Sequence, residues 1–267
     1  MTTQTLLAKI YSANQRRHID ETVKNLFEGL SVEATVNSTL ADRWVQVALS
    51  GEDEEVATNL LDREFGFYPS TLENVKKSST LKGFVTNLEK SKEELLVDVG
   101  VFQPKIVRAV LPLNNLQAQL VGGRPASLKK IAELWGICEN LPISVKIVNV
   151  NTEENRIDAE LTSEQIEKYV VWRESLLDRL LVLGASLYQV KMAVEQEELS
   201  RDVIDIEPLG MFEHALVCKL GTDATGLISR IGRRLRKAKF TVFNPRKTMA
   251  FLEPHQASGP KTLNEAA

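Results

Sequence analysis

Between Ala224 and Lys247 the chain carries Arg230, Arg233, Arg234, Arg236, Lys237, Lys239, Arg246 and Lys247 without one acidic residue. Projected on a helix from about Ala224 to Ala238, Arg230, Arg233, Arg234 and Lys237 line one side at three- and four-residue spacing. Leu227, Ile228, Ile231, Leu235 and Ala238 gather on the other. Like charges so spaced destabilise an isolated helix by about a few tenths of a kcal/mol each, and an anionic partner would relieve that cost. The chain has 267 residues and a net charge of −3, so this cluster is a local departure from an acidic whole. Two readings compete: a phosphate-contacting ridge for RNA, or a solvated helix whose charges pair with the acidic 195–207 stretch. The apolar side is small and lacks aromatic residues, which argues against a membrane surface.

Other chemistry is sparse. His18, His214 and His255 stand neither beside a cysteine nor at i, i+4 spacing with each other, so no zinc site or triad is indicated. Gly122-Gly123-Arg124 lacks the Gly-Lys-Ser/Thr that completes a phosphate loop. The acids Glu52 to Glu55 suit the positive end of a helix better than a metal. Cys138 and Cys218, each beside apolar residues, read as buried free thiols. These observations lead us to expect a protein without catalytic residues, metal or cofactor. With no basic n-region after Met1 and no run of about 20 apolar residues, a cytoplasmic location is expected.

The elements that must position the basic residues follow from periodicity. Three strand-like segments lie between Leu81 and Leu113. One short helix, Ser127 to Ile137, is capped by Ser127 and packs through Ile131, Leu134 and Trp135. Two more alternating segments, Ile143 to Val150 and Arg156 to Leu161, flank the turn Asn151 to Asn155. Three strands, a helix and two strands is the order of a five-stranded Greek-key barrel of the OB type. Before it come a strand from Leu6 to Tyr11, a helix through Ile19, Val23, Leu26 and Phe27, strands Val32 to Val36 and Trp44 to Leu49, and a helix through Val56 to Phe65. That order suggests a ferredoxin-like split βαβ unit with its last strand between Phe67 and Val75. After the barrel, the Thr162–Gln165 capping-box spacing opens a helix expected to run to Gly184. Strands at Leu187 to Val194, Val203 to Pro208 and Ala215 to Leu220 follow, then the basic helix and a strand Phe240 to Phe243. Trp44 to Phe65 and Ala215 to Lys237 are alike, each a strand, a glycine turn and a helix.

Gly83-Phe84-Val85, Leu96-Val97-Asp98-Val99-Gly100, Leu111-Pro112-Leu113 and Val145-Lys146-Ile147 followed by Asn155-Arg156-Ile157 together resemble an S1-type RNA-binding OB domain, over roughly a third of the chain. The whole layout also resembles an archaeal family of uncharacterised proteins with an S1-like centre. The resemblance implies bases stacked on barrel aromatics, for which Phe84 and Phe102 are the candidates, beside Lys105, Arg108, Lys146 and Arg156 on strands; Lys82 and Lys90 read as flanking charges. Leu95 and Leu96 stand where the S1 pattern has an aromatic. With stacking worth roughly 1–3 kcal/mol per base, such a barrel needs a second site, and the basic helix with Arg246 and Lys247 would add to it through effective concentration.

The expected fold is therefore α+β: a ferredoxin-like domain at 1–76, a central five-stranded OB/S1-like β-barrel at 77–162, a second small α/β domain with the basic helix at 163–252, and a disordered tail at 253–267. The expected function is non-catalytic RNA binding in translation or RNA processing, with ribosomal or other structured RNA and ribosomal proteins as partners and oligomerisation open. The alternative is a protein–protein scaffold that uses the barrel and α/β faces.

Overall fold

Alternation of apolar residues makes strands of β1 (Thr2–Lys9), β2 (Val32–Ser38) and β3 (Trp44–Gly51), which form an antiparallel sheet in the order β1-β3-β2. The structure, a computed structural model, describes residues 2–38, 43–103 and 105–253; the expected disordered tail lies outside these from residue 254 onward. Helices α1 (Ala13–Leu26) and α2 (Glu54–Phe65) cover one face of the sheet, burying Ile19, Val23, Ala57 and Leu61 against Leu6, Ala8, Val45, Val47 and Leu49. The fourth ferredoxin strand is reduced to a bridge between Leu6 and Phe67, with Leu7 N–H donating to Gly66 and Tyr68 N–H to Thr5, both at 2.9 Å. Beyond it Pro69 lacks an N–H and Ser70 takes φ 59°, which turns the chain away. Strand β4 (Ser70–Thr71) then pairs in parallel with the barrel, opposite Val101 and Gln103.

The barrel consists of β5 (Thr80–Thr86), β6 (Glu94–Gln103), β7 (Val107–Pro112), β8 (Pro142–Asn151) and β9 (Arg156–Leu161). It closes in the order β5-β6-β7-β9-β8 and back to β5, with only β7 and β9 parallel. Closure leaves no free edge in this ring, and its interior is filled by Val85, Val97, Val99, Leu111, Ile143, Val145 and their neighbours. Gly100, at φ +75°, lies under the Tyr68 ring, which a β-carbon there would overlap. Two helices separate β7 from β8 where one was expected: α3 (Leu113–Val121) and α4 (Leu128–Trp135), each ending on a left-handed glycine, Gly122 and Gly136. Ser127 caps α4 as its position implies, its side chain accepting from Lys130 N–H.

Helix α5 (Ser163–Glu174) starts at Thr162, whose hydroxyl accepts from Gln165 N–H. The Gln165 side chain does not return to the cap; it accepts from Ser144 N–H of β8 and ties the helix to the barrel. The helix stops at Ser175, short of the expected Gly184, because Leu176 adopts φ 57° and the following run becomes β10 (Arg179–Leu183). All five residues of β10 are buried; a central strand covered on both faces loses alternation and imitates a buried helix.

The reverse holds for the next segment: the stretch expected as a strand is α6 (Leu187–Gln196). Val190, Ala193 and Val194 are spaced for one buried helical face, and Ser186 with Gln189 forms a complete capping box. Ser186→Ala is expected to cost about 1 kcal/mol, measured as a fall in the urea midpoint at unchanged slope.

Strand β11 (Val203–Pro208), β12 (Glu213–Cys218), helix α7 (Ala224–Arg234), β13 (Lys239–Phe243) and α8 (Pro245–Leu252) complete the chain. The antiparallel order β11-β12-β10-β13, with helices after the first and third strands, is a full ferredoxin-like βαββαβ unit. The two similar sequence segments are thus β3 with α2 and β12 with α7, the third strand and second helix of their respective units. Helix α7 ends four residues earlier than expected, and α8 had not been anticipated.

Alternation assigns the two faces of the C-terminal sheet. Leu180, Val182, Leu216 and Cys218 pack with α6 and α7. Leu181, Leu183, Ala215 and Phe243 join the barrel's cluster, in contact with Trp135 and Trp172. The N-terminal sheet meets the barrel in the same way, through Trp44, Tyr68 and Phe84. Cys138 and Cys218 are free thiols, the first half-buried and the second buried.

Candidate nucleic-acid interface

The arginine ridge forms on α7 and is met by acids. Arg234 Nε donates to Glu197 Oε1 at 2.7 Å, and Arg233 Nη2 lies 3.9 Å from Oε2. Arg230 Nη2 donates to the Glu197 carbonyl, and its Nη1 stands 3.7 Å from Asp202. Glu197 sits at the end of α6, which packs on α7, so the sheet's helical layer brings the acidic stretch onto the basic one. This is the pairing alternative that the sequence left open. The ridge also lies across the C-terminal sheet from the barrel, because α7 packs on the face carrying Leu180 and Leu216 while the other face meets Trp135. Lys237, Arg246 and Lys247 are exposed and make no ion pair among the described residues. The first lies beyond the end of α7 and the other two in the first turn of α8.

The six barrel residues divide three ways. Phe84 is 3% exposed and enclosed by Trp44 and Tyr68, with ring centroids 5.4 Å from Trp44, so it is a packing residue and not an open stacking platform. Lys146 and Glu160 are cross-strand partners at 3.5 Å, and Arg156 holds Asp158 at 2.7 Å; adjoining acids offset both cations. Phe102, Lys105 and Arg108 remain. Phe102 and Arg108 alternate with the buried Val101, Val107 and Ala109 and so share the outer face of the β6–β7 hairpin. Lys105 is exposed in the connecting loop and not on a strand as expected. Arg108 is half-buried, and its Nε is enclosed without a hydrogen-bond partner among the described residues. Beside this hairpin a cavity of ≈490 Å³ is lined by Leu72, Glu73, Gln103, Thr152 and Asn155.

A second polar cluster escaped sequence reasoning altogether. Lys9 of β1 and Asp98 of β6 form an ion pair at 2.7 Å with side chains only 7% and 2% exposed. The Lys9 ammonium lies 4.4 Å from the Trp44 ring centroid and 5.4 Å from that of Phe84. Nearby, Tyr11 Oη donates to Glu213 Oε1 at 2.6 Å. Burial pushes the Glu213 carboxyl up to about 7, against the opposing pull of Tyr11, the Phe212 N–H, Lys82 and Lys9. Tyr68 Oη is buried without a hydrogen-bond partner among the described residues. The available signals were single charges inside apolar strands, Lys9 in LLAKI and Asp98 in LLVDVGV. Lys82, read as a flanking charge, is half-buried there.

Among the described residues no group of three or more His, Cys, Asp or Glu is placed to hold a metal ion, and no helix is long and apolar enough to cross a membrane. Three family models match the chain: the DUF2110 N-terminal domain over residues 3–71, the DUF2110 central domain over 75–173 and the DUF2110 C-terminal domain over 177–243. No curated protein matches it. Among solved structures, an uncharacterized protein of Methanocaldococcus jannaschii is similar at 19% identity over 33% of this chain and 95% of that one, with a TM-score of 0.24. A chain of the a/eIF2alpha-aDim2p-rRNA complex of Pyrococcus horikoshii is similar at 11% identity over 48% and 70%, with a TM-score of 0.26.

Proposed function

We propose that this chain, which belongs to the DUF2110 family, is a non-catalytic RNA-binding protein that works in translation or RNA processing. Its binding surface is the outer face of the β6–β7 hairpin. The barrel's closing order and the placement of its helices between the third and fourth strands support an S1-type OB module, whose second and third strands form the oligonucleotide face. The observation that carries the reading is Arg108. It is half-buried on the outer face, on the same hairpin as a half-buried Phe102 and an exposed Lys105, and its side chain makes no ion pair or hydrogen bond among the described residues. A phosphate or base edge would meet the outer end of the guanidinium, not the enclosed Nε, while Phe102 offers a stacking face.

Fluorescence anisotropy of a labelled single-stranded RNA, titrated at several salt concentrations, tests this. Phe102→Ala with Lys105→Glu and Arg108→Glu is expected to weaken binding roughly ten- to hundred-fold and to flatten the salt dependence. Arg230→Glu with Arg233→Glu and Arg234→Glu is expected to leave affinity nearly unchanged, because Glu197 and Asp202 already occupy those groups. The reverse pattern would return the RNA site to α7. Co-sedimentation with ribosomal subunits tests the setting.

A scaffold reading is favoured by the paired ridge and by Tyr188, 70% exposed beside the exposed Leu187 at the start of α6. Light scattering that gives an oligomer and RNA-free recovery from cells would support it over RNA binding.

A further inference from the structure

A cleft of ≈470 Å³ opens where the N-terminal unit, the barrel and the C-terminal unit meet. Leu7 and Phe65 line it from one side, Leu209 and Met211 from another, and Lys82 of β5 reaches it from the barrel. Glu64 and His18, both exposed, stand at its rim. Lys82 is half-buried and makes no ion pair or hydrogen bond among the described residues. Burial lowers its pKa, with Glu213 opposing. Its ammonium lines the cleft without an ion-pair partner among the described residues, so an incoming anion would find it unoccupied.

Glu213 does not fill that role. It lies immediately behind Gly210, where a β-carbon would overlap its Oε2. Its oxygens are already occupied by Tyr11 Oη at 2.6 Å and Phe212 N–H at 3.3 Å. With its carboxyl pushed up to about 7, it carries only part of a charge at neutral pH. Behind Lys82 a half-buried ammonium, Lys168 of α5, stands 5.1 Å from the Trp172 ring centroid; burial lowers its pKa, with Glu207 opposing and Lys82 adding to the shift. Lys82 is therefore the one cation lining the cleft among the described residues; its nearest buried acid, Glu213, is engaged by Tyr11 and Phe212, and Glu64 stands exposed at the rim. Volume and position between units match the general form of small-molecule sites, and the lining is mixed, with Leu7, Phe65, Leu209 and Met211 beside Thr22, His18, Glu64 and Lys82.

We propose that this cleft binds a small organic anion, a carboxylate or phosphate ester on an apolar or aromatic body, with Lys82 on the anionic group and Leu7, Phe65, Leu209 and Met211 around the body. The site is distinct from the hairpin surface of the RNA reading and stands or falls separately. A ligand there touches all three units, so it stabilises the assembled chain in proportion to its occupancy.

The test uses the full chain with 13C-labelled methionine methyl groups and three probes: phenyl phosphate, benzoate and inorganic phosphate. Phenyl phosphate or benzoate is expected to move the Met211 methyl signal saturably, leaving Met192 and Met249 in place, and to raise the melting temperature. Lys82→Met is expected to weaken this binding by about tenfold or more, and Lys82→Arg to retain most of it. Three results overturn the proposal: a Met211 signal that neither aromatic probe moves, an identical titration in Lys82→Met, or an equal response to inorganic phosphate, which would mean an ion site without a body pocket. If Lys82→Met does not fold, Lys82→Gln takes its place, and the wild-type methyl titration still decides the first and third.

Discussion

Lys9→Met is expected to destabilise the chain by about 3–5 kcal/mol, the cost of leaving one buried charge without its partner. Asp98 is 2% exposed and would keep only the Gly100 N–H at 3.1 Å in place of an ammonium at 2.7 Å. The methionine stem fills most of the space beside Trp44 and Phe84, so a cavity contributes little to the loss. Urea unfolding followed by tryptophan fluorescence measures it, because Trp44 lies against both Lys9 and Phe84. Adding Asp98→Asn to Lys9→Met removes the stranded charge and is expected to recover most of the deficit, since a buried pair contributes far less net stability than breaking it costs. A single-variant loss below about 1 kcal/mol would mean that the junction is hydrated and the pair behaves as a surface one. An intact barrel with a protease-sensitive N-terminal sheet would locate the effect at the interface this pair spans.

The same junction explains what was legible in the sequence. Barrel strands were readable because closure buries one face and leaves alternation intact, as at Ile143, Val145 and Ile147 beside Ser144 and Lys146. Leu180 to Leu183 were not, because the C-terminal sheet is covered by α7 on one side and by the barrel unit on the other. The fourth N-terminal strand failed for a different reason: its residues were divided between a bridge to Leu6 and a pairing with β6, and no local pattern encodes that division. Candidate site residues chosen by charge were legible as cations but not as free cations. Glu197 is 33 residues before Arg230 in sequence, and only the packing of α6 on α7 brings them together. Phe84 reads like a stacking platform until Trp44 and Tyr68, which come from the N-terminal unit, are seen to enclose it.

Between pH 5 and 8 the wild-type chain is expected to lose stability that Glu213→Gln retains. Burial holds the folded-state carboxyl at about 7 against an ordinary value of 4.5, so the folded chain binds a proton that the unfolded chain has released across that window. The associated stability is complete below the unfolded value and is lost as pH rises through the folded one. The shift, already net of the pull of Tyr11, Phe212 N–H, Lys82 and Lys9 toward the charged form, corresponds to something on the order of 3 kcal/mol. His214 acts in the opposite sense: burial lowers its pKa and keeps it neutral when the unfolded chain would protonate it, so it favours stability at higher pH. The wild-type profile is therefore a sum of opposing slopes, and the difference between wild type and Glu213→Gln is what isolates the carboxyl. That difference is expected to be small at pH 5 and to grow in favour of the variant toward pH 8, read as melting temperature or urea midpoint. Glutamine keeps an acceptor for Tyr11 and mimics the protonated group, so a uniform loss at every pH would show that the hydrogen bonds of Glu213, and not its proton, tie the N-terminal and C-terminal units together.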